Sequence, residues 1–178
     1  MSESVPSVST NAAADREVRL PHEGERSFIL SVVQPGLAGL MDGSVSSLAP
    51  LFAAAFATRD SRLAFLVGLA TAVGAGISMA FSEALSDDGK ISGRGNPWVR
   101  GSVCGLMTFL GAIGHTLPFL ISNFDVAMMI AAVIVVIELL AIAWVRHRYM
   151  DTPLLQACFQ VIVGGAIVFA AGILIGSS

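Results

Sequence analysis

The chain has 178 residues, of which 54% are hydrophobic and 13% are charged, and its mean hydropathy is +0.77. Soluble domains carry about 25% charged residues, so this chain has too little charge to cover a water-facing surface. The net charge of −3 and the lack of a basic stripe exclude nucleic acid as a partner. These properties predict an integral membrane protein surrounded by membrane lipid.

The first segment, residues 1–26, is rich in Ser, Ala, Pro and charge and has no apolar period. We predict that it is a disordered cytosolic tail. It does not have the pattern of a signal peptide, because no apolar h-region follows a basic start. Residues 27–178 are then predicted to form one transmembrane domain.

Five apolar stretches in this domain are long enough to cross a bilayer, which takes about 20 apolar residues per helix. They run over about 28–57, 63–85, 99–121, 124–145 and 153–175. The first is longer than a bilayer requires, and Pro35 predicts a kink near its start. Pro118 predicts a helix break in the third, close to His115. The predicted fold class is therefore all-α, a polytopic protein with five transmembrane helices.

The basic residues lie mostly on one side of these five crossings. Arg59 and Arg62 fall on one side, and the other eight Lys and Arg fall on the side of the N-terminus. The positive-inside rule then predicts a cytosolic N-terminus and an outside C-terminus. Close helix packing is predicted by three Gly-x-x-x-Gly pairs, which begin at Gly39, Gly101 and Gly172.

An ionisable side chain inside hydrocarbon is costly, and each one is a candidate functional residue. In the first span this residue is Asp42, followed one turn later on the same face by Ser46. In the second span Glu83 lies one turn after Met79, so a carboxylate and a thioether share a face. Such a pair suits a borderline divalent ion such as Fe²⁺ better than Mg²⁺ or Ca²⁺. The structural alternatives are a helix–helix hydrogen bond for Asp42, a core position for Met79 and a helix-end position for Glu83.

The depth of these residues favours the metal interpretation. At 1.5 Å per residue, Asp42 and Met79 each lie roughly 9 Å from the cytosolic end of their helices. We therefore predict that Asp42, Met79 and Glu83 meet at one level on the cytosolic side of the midplane. Glu138 lies in the middle of the fourth span, where a role in proton coupling and a structural hydrogen bond are equal alternatives.

Three segments contain the motif residues: 39–44 (Gly-Leu-Met-Asp-Gly-Ser), 76–80 (Gly-Ile-Ser-Met-Ala) and 83–86 (Glu-Ala-Leu-Ser). They resemble the Asp-Gly step and the Ser-Met-Ala and Glu-Tyr-Leu-Ser patterns of the vacuolar iron transporter (VIT) family, with Ala84 in place of the Tyr. The resemblance extends from Phe28 to the C-terminus. It is greatest to the membrane half of bacterial membrane-bound ferritins, which fuse a ferritin-like domain to such a transporter.

This resemblance implies a homodimer in the bacterial inner membrane that exports Fe²⁺, and often Mn²⁺, from the cytosol in exchange for protons. It implies a transporter and not an enzyme, with Asp42 and Met79 as metal ligands and Glu83 as the acid of the second motif. No permanently bound cofactor is implied, because the metal is the transported substrate. Co²⁺ and Zn²⁺ are further candidate substrates, since intrinsic affinity and site geometry compete.

Further candidate residues have less specific signals. Thr71 stands where some family members carry an acid two turns before the Met. The short loop after the second span contains Asp87 and Asp88, which are candidates for metal uptake from the cytosol. The candidates for the metal pathway or for proton coupling are Ser46, Thr71, His115 and Glu138.

The leading hypothesis is a secondary metal exporter, because no P-loop or phosphorylation motif is present. An alternative is a non-transporting membrane anchor or assembly module for a soluble ferritin-like partner, since the sequence contains no ferritin-like segment. An intramembrane enzyme would need a nucleophile beside a base. His115 is the one deep histidine, and no residue at a recognisable spacing partners it.

Overall fold

The computed structural model describes residues 23–149 and 153–177, and the regular elements within them are all helical. Residues 1–22, which make up most of the predicted tail, lie outside the described residues, whereas residues 23–26 are helical. The elements are α1 (Glu23–Phe28), a π-helix (Ile29–Val33), α2 (Gln34–Ser46), α3 (Leu48–Thr58), α4 (Ser61–Ser86), α5 (Pro97–Gly114), a 3-10 helix (Leu117–Leu120), α6 (Phe124–Tyr149) and α7 (Leu154–Gly176).

The N-terminal helical run is interrupted twice. The first interruption is the π-helix directly before Pro35, where the sequence predicted a kink. A wider turn accommodates proline, which has no N–H and clashes with the carbonyl four residues earlier. The second lies at Ser47, between α2 and α3. Pro50 cannot donate to the Ser46 carbonyl, and the sequence analysis did not anticipate this break.

Four helical segments are long and apolar enough to cross a membrane: Gly24–Thr58, Ser61–Ser86, Phe124–Tyr149 and Leu155–Gly176. They correspond to the first, second, fourth and fifth predicted spans. The third predicted span forms α5, which has 18 residues, and the 3-10 helix that follows it. His115 is the C-cap of α5, so the predicted helix break occurs close to Pro118. The first turn of α5 contains Arg100, whose side chain is fully buried.

The helix pair α2–α5 is packed backbone to backbone. Gly39 lies against Cys104, and Gly43 lies against Thr108. A Cβ atom at either glycine would collide with the backbone of α5, so only glycine permits this approach. The first Gly-x-x-x-Gly pair therefore serves packing within the chain.

The other two glycine pairs also meet helices of the same chain. On α5, Gly101 and Gly105 approach the α4 segment around Ala80. On α7, Gly172 and Gly176 approach the backbone of α3. As a result α5 packs against both α2 and α4, and the last helix packs against the first membrane-embedded run.

An apolar cluster fills the far end of the bundle. Phe52 of α3 is fully buried and makes edge-to-face contacts with Phe119 and Phe169, at centroid distances of 6.4 and 4.8 Å. Aromatic pairs of this kind add about 0.5–1.5 kcal/mol beyond their buried area. The cluster joins α3, the 3-10 helix and α7, and so fixes the neighbourhood of His115.

Candidate metal and proton site

Asp42 lies in α2, half-buried, and its carboxylate has no hydrogen bond or ion pair to any described residue. Its backbone carbonyl accepts a hydrogen bond from Ser46 Oγ at 2.6 Å. Asp42 lies between Gly39 and Gly43, which pack against Cys104 and Thr108 of α5, and Glu83 pairs with Arg100 of α5, so both carboxylates lie beside the same helix. A carboxylate without a partner in a spanning helix is costly unless it binds a cation or a proton.

The packing register fixes the relative depth of the predicted ligands. Asp42 lies in the α2 segment that packs against residues 104–108 of α5, whereas Met79 lies in the α4 segment that packs against residues 101–105. An offset of about three residues is roughly 5 Å along a helix axis. Glu83 lies one further turn towards the helix end. The structure thus staggers the three residues over about two turns, with Asp42 the deepest, instead of placing them at one level.

Glu83 belongs to a cluster of ion pairs that the sequence analysis did not identify. Its Oε1 atom accepts hydrogen bonds from Arg94 Nη2 and Arg100 Nε, each at 2.9 Å. Arg100 also donates to the backbone carbonyls of Asp87 and Gly95. A metal ion at Glu83 would therefore have to bind through Oε2, which has no partner among the described residues, or displace Arg94.

A cavity of about 470 Å³ opens beside this cluster. Its lining includes Glu83, Arg94, Arg146 and the half-buried Met41. A thioether and a carboxylate thus share one cavity, although the thioether is Met41 and not the predicted Met79. Met41 belongs to the first motif but was not predicted as a ligand. Its partner Glu83 lies on another helix, and only the tertiary structure brings the two side chains to one cavity.

Thr71 and Ser46 both use their hydroxyl hydrogens within their own helices. Thr71 Oγ1 donates to the carbonyl of Val67 at 2.8 Å, and Ser46 donates to Asp42 as described above. Their oxygen lone pairs stay available as acceptors or as ligands. Neither residue has a described contact with a second polar side chain.

Asp87 and Asp88 form turns in the loop between α4 and α5. Asp87 accepts hydrogen bonds from Ser92 Oγ and from the backbone N–H of Gly89, and Asp88 accepts from the backbone N–H of Lys90. The bond from Ser92 and then that from Gly89 lower the pKa of Asp87, helped by the nearby charge of Arg100. Both carboxylate oxygens of Asp87 thus accept hydrogen bonds within the loop, whereas the carboxylate of Asp88 stays exposed.

His115 has the partners that the sequence did not reveal. Its Nε2 lies 2.9 Å from Ser47 Oγ, and its Nδ1 lies 2.9 Å from Glu138 Oε2. The imidazole and the serine are fully buried. His115 and Glu138, the candidate residues of the third and fourth predicted spans, therefore form one hydrogen-bonded chain with Ser47. This chain ends at the break between α2 and α3.

The described residues contain no cluster of three or more His, Cys, Asp or Glu side chains that could hold a metal ion. The arrangement instead offers single carboxylates at different depths: Asp42 without a partner, Glu83 with arginines and Glu138 with a histidine.

Comparison with protein families gives one match. The family model described as the VIT family matches residues 84–177, which is just over half of the chain. The matched region begins near the end of α4 and continues to the end of α7, so Asp42, Met79 and Glu83 precede it. No curated protein and no solved structure matches the chain.

Proposed function

The chain belongs to the VIT family, and from that premise we propose that it is a secondary transporter that exports Fe²⁺ from the cytosol in exchange for protons. The observation that carries this proposal is the carboxylate of Asp42. Among the described residues, Asp42 and Glu138 are the carboxylates deep within spanning helices. Glu138 is bonded to His115, whereas Asp42 has no partner. A passing divalent cation would supply the missing counter-charge.

We assign Asp42 and Met79 as the deeper metal ligands. A carboxylate oxygen and a thioether sulfur together favour borderline ions such as Fe²⁺ over Mg²⁺ and Ca²⁺. Glu83 and Met41 line the cavity nearer the helix ends and form the approach to this site. Mn²⁺, Co²⁺ and Zn²⁺ are the further substrates to be compared.

We propose that the chain crosses the bacterial inner membrane five times, with α5 and the 3-10 helix as the third crossing. The N-terminus and the loop between α4 and α5 then face the cytosol, because eight of the ten Lys and Arg lie on that side. Single cysteines at Ser92 and Asn123, in a chain without Cys104 and Cys158, test this orientation. A membrane-impermeant thiol reagent added outside should label position 123 and spare position 92.

We also propose that two copies of the chain associate. Since all three glycine pairs pack within the chain, the interface needs another surface. The outer face of α4 presents a row of small exposed residues, Ala70, Gly74, Ser78 and Ser82. Small residues spaced by four allow close helix approach in membranes. This face would place Met79 near the boundary between the two copies.

The test of transport uses purified protein in proteoliposomes that contain a metal-sensitive dye. The proposal predicts Fe²⁺ flux that exceeds the flux in empty vesicles and is accelerated by an opposing proton gradient. Absence of flux for Fe²⁺, Mn²⁺, Co²⁺ and Zn²⁺ would overturn it. Stable binding of a soluble ferritin-like protein by such an inactive chain would support the membrane-anchor alternative.

A further inference from the structure

Three side chains from separate parts of the sequence form a buried hydrogen-bonded chain. Ser47 lies at the junction of α2 and α3, His115 caps α5, and Glu138 lies in the middle of α6. The distances are 2.9 Å from Ser47 Oγ to His115 Nε2 and 2.9 Å from His115 Nδ1 to Glu138 Oε2. Ser47 and His115 are fully buried, and the Glu138 side chain is 15% exposed.

The hydrogen bonds allow the protons of this chain to be counted. Ser47 has one hydroxyl hydrogen, and it donates this hydrogen to the carbonyl of Gly43 at 2.5 Å. Ser47 Oγ can then only accept from the imidazole, so His115 Nε2 carries a hydrogen. The bond between Nδ1 and Oε2 needs a second hydrogen, on the nitrogen or on the oxygen. The pair therefore holds one proton more than a neutral imidazole beside an ionised carboxylate.

Loss of this one proton changes the pattern in a defined way. The imidazole then carries a single hydrogen. This hydrogen lies on Nδ1, because the ionised carboxylate of Glu138 can only accept and the bond between the two groups needs a donor. Nε2 becomes an acceptor, and the Ser47 hydroxyl turns from Gly43 to His115. One proton leaves the pair, and the only covalent bond that breaks is the bond to that proton. The Gly43 carbonyl loses the hydrogen bond from the Ser47 side chain.

We propose that the Glu138–His115 pair is the proton-binding site of the transporter and that Ser47 transmits its proton state to the Asp42 segment. The inference rests on the proposed function. Gly43 directly follows Asp42, and Ser47 is the point where the helical run is already broken by Pro50. A change in the hydrogen bond from Ser47 to the Gly43 carbonyl therefore acts on the backbone beside Asp42, the predicted metal ligand. It acts close to the point where the helical run is already broken.

Few other charges can act on this pair. The surrounding elements are α2 to α7 and the 3-10 helix, and among them α3, α7 and the 3-10 helix contain no charged residue. Of the remaining elements, α2 contributes Asp42. The other described charged residues lie in terminal turns, and they are Arg62 and Glu83 of α4, Arg100 of α5, and Asp125, Arg146, His147 and Arg148 of α6. Asp42 is therefore the charge whose state the pair can sense most directly.

The same order of side chains occurs in serine hydrolases, where the hydroxyl is a nucleophile. Here the hydroxyl of Ser47 is fully buried and donates to Gly43, not to the imidazole. A nucleophilic serine must donate its hydrogen to the base and reach a substrate. Because the Ser47 hydroxyl is fully buried in the structure, a substrate cannot reach it, and the arrangement does not support acyl transfer.

The test compares the wild-type protein with Glu138→Gln, Ser47→Ala and the control Asp125→Asn, all in proteoliposomes. Asp125 pairs with Arg59 at an exposed surface, so its substitution removes a carboxylate outside this chain. We expect Glu138→Gln and Ser47→Ala to lose acceleration of metal flux by a proton gradient, whereas Asp125→Asn retains this acceleration. Wild-type acceleration in Glu138→Gln would overturn the proposal.

A second measurement separates this inference from the proposed function. Infrared difference spectra between acidic and alkaline states of the detergent-solubilised protein should contain a carboxyl or imidazole proton signal that disappears in Glu138→Gln and persists in Asp125→Asn. An unchanged spectrum in Glu138→Gln would overturn the proton site even if transport occurs. A wild-type protein that moves no metal would overturn the proposed function, while the spectra still decide whether the pair binds a proton.

Discussion

The guanidinium group of Arg100 is completely buried, and its Nε donates to Glu83 Oε1 at 2.9 Å. Removing one partner of a buried ion pair typically costs about 3–5 kcal/mol, and Asp87 Oδ2, 3.7 Å from Arg100 Nη2, offsets part of this loss. We expect Glu83→Gln to lower the free energy of unfolding towards this range, measured by thermal unfolding in detergent. The exposed Arg59–Asp125 pair is the matched control, and Asp125→Asn should cost less than about 1 kcal/mol. Equal effects of the two substitutions would contradict a structural role of Glu83.

Asp42 and Met79 should be needed for transport and not for folding. Asp42→Asn removes the negative charge and Met79→Leu removes the sulfur, while each nearly preserves side-chain volume. We expect either substitution to abolish Fe²⁺ flux in proteoliposomes and to leave the elution volume in size-exclusion chromatography unchanged. Met129→Leu, at a side chain that is 62% exposed, is the control for the loss of a thioether. Normal flux in both site variants would refute the ligand assignment.

The contact between α2 and α5 makes a prediction about stability. Gly43→Ala would force a Cβ into the backbone of Thr108, whereas the Cβ of Gly164→Ala, in α7, points into open space. Overpacking of this kind typically costs about 1–3 kcal/mol, while alanine in an open helical position is neutral or gains up to about 1 kcal/mol. The unfolding temperature should therefore fall in Gly43→Ala and should stay unchanged or rise in Gly164→Ala. A stable Gly43→Ala protein would show that α2 and α5 are less tightly packed than described.

The outer face of α4 should be the contact between two copies. In a chain with Cys104 and Cys158 replaced by alanine, we expect Gly74→Cys to form a disulfide-linked dimer on mild oxidation. Gly164→Cys is the control, because this glycine of α7 is equally free of neighbours. Cross-linking at position 164 but not at 74 would move the interface from α4 to α7.

The loop between α4 and α5 should depend on pH through Asp87. The hydrogen bonds of Ser92 and Gly89 lower the pKa of Asp87 below its ordinary value of 3.8. A lowered pKa in the folded state means that the ionised carboxylate stabilises the loop above pH 3.8, and that this contribution is lost as the pH falls through the lowered pKa. The Gly89 amide resonance, followed by NMR, should titrate with a midpoint below 3.8. A midpoint at or above this value would show that the loop hydrogen bonds do not form.

Much of the fold could be predicted from the sequence because it depends on local signals. Apolar length gave the helices at 61–86, 124–149 and 154–176 to within a few residues, and proline gave the disturbances near Pro35 and Pro118. The break at Ser47 was missed although Pro50 predicts one. The long apolar run in which Pro50 lies favoured a single helix.

The polar contacts could not be predicted in the same way because they join distant parts of the chain. Ser47 and His115 are 68 residues apart, and His115 and Glu138 are 23 apart. No periodicity encodes such a pairing. Arg100 was counted among the cytosolic basic residues, and the structure adds that its side chain is a buried partner of Glu83. Its side chain is enclosed by contacts with the loop and with α4, and no local sequence pattern encodes those contacts.

The glycine contacts of α5 have a consequence for the order in which the protein can assemble. The close-packed faces of α2 and α4 both meet α5, which follows them in the chain and is therefore synthesised after them. When the first two hydrophobic segments have left the ribosome, the glycine surfaces of both still lack their partner. Before α5 inserts, the N-terminal half can therefore form only the direct contacts of α4 with α3 and α2, and its glycine surfaces are closed last.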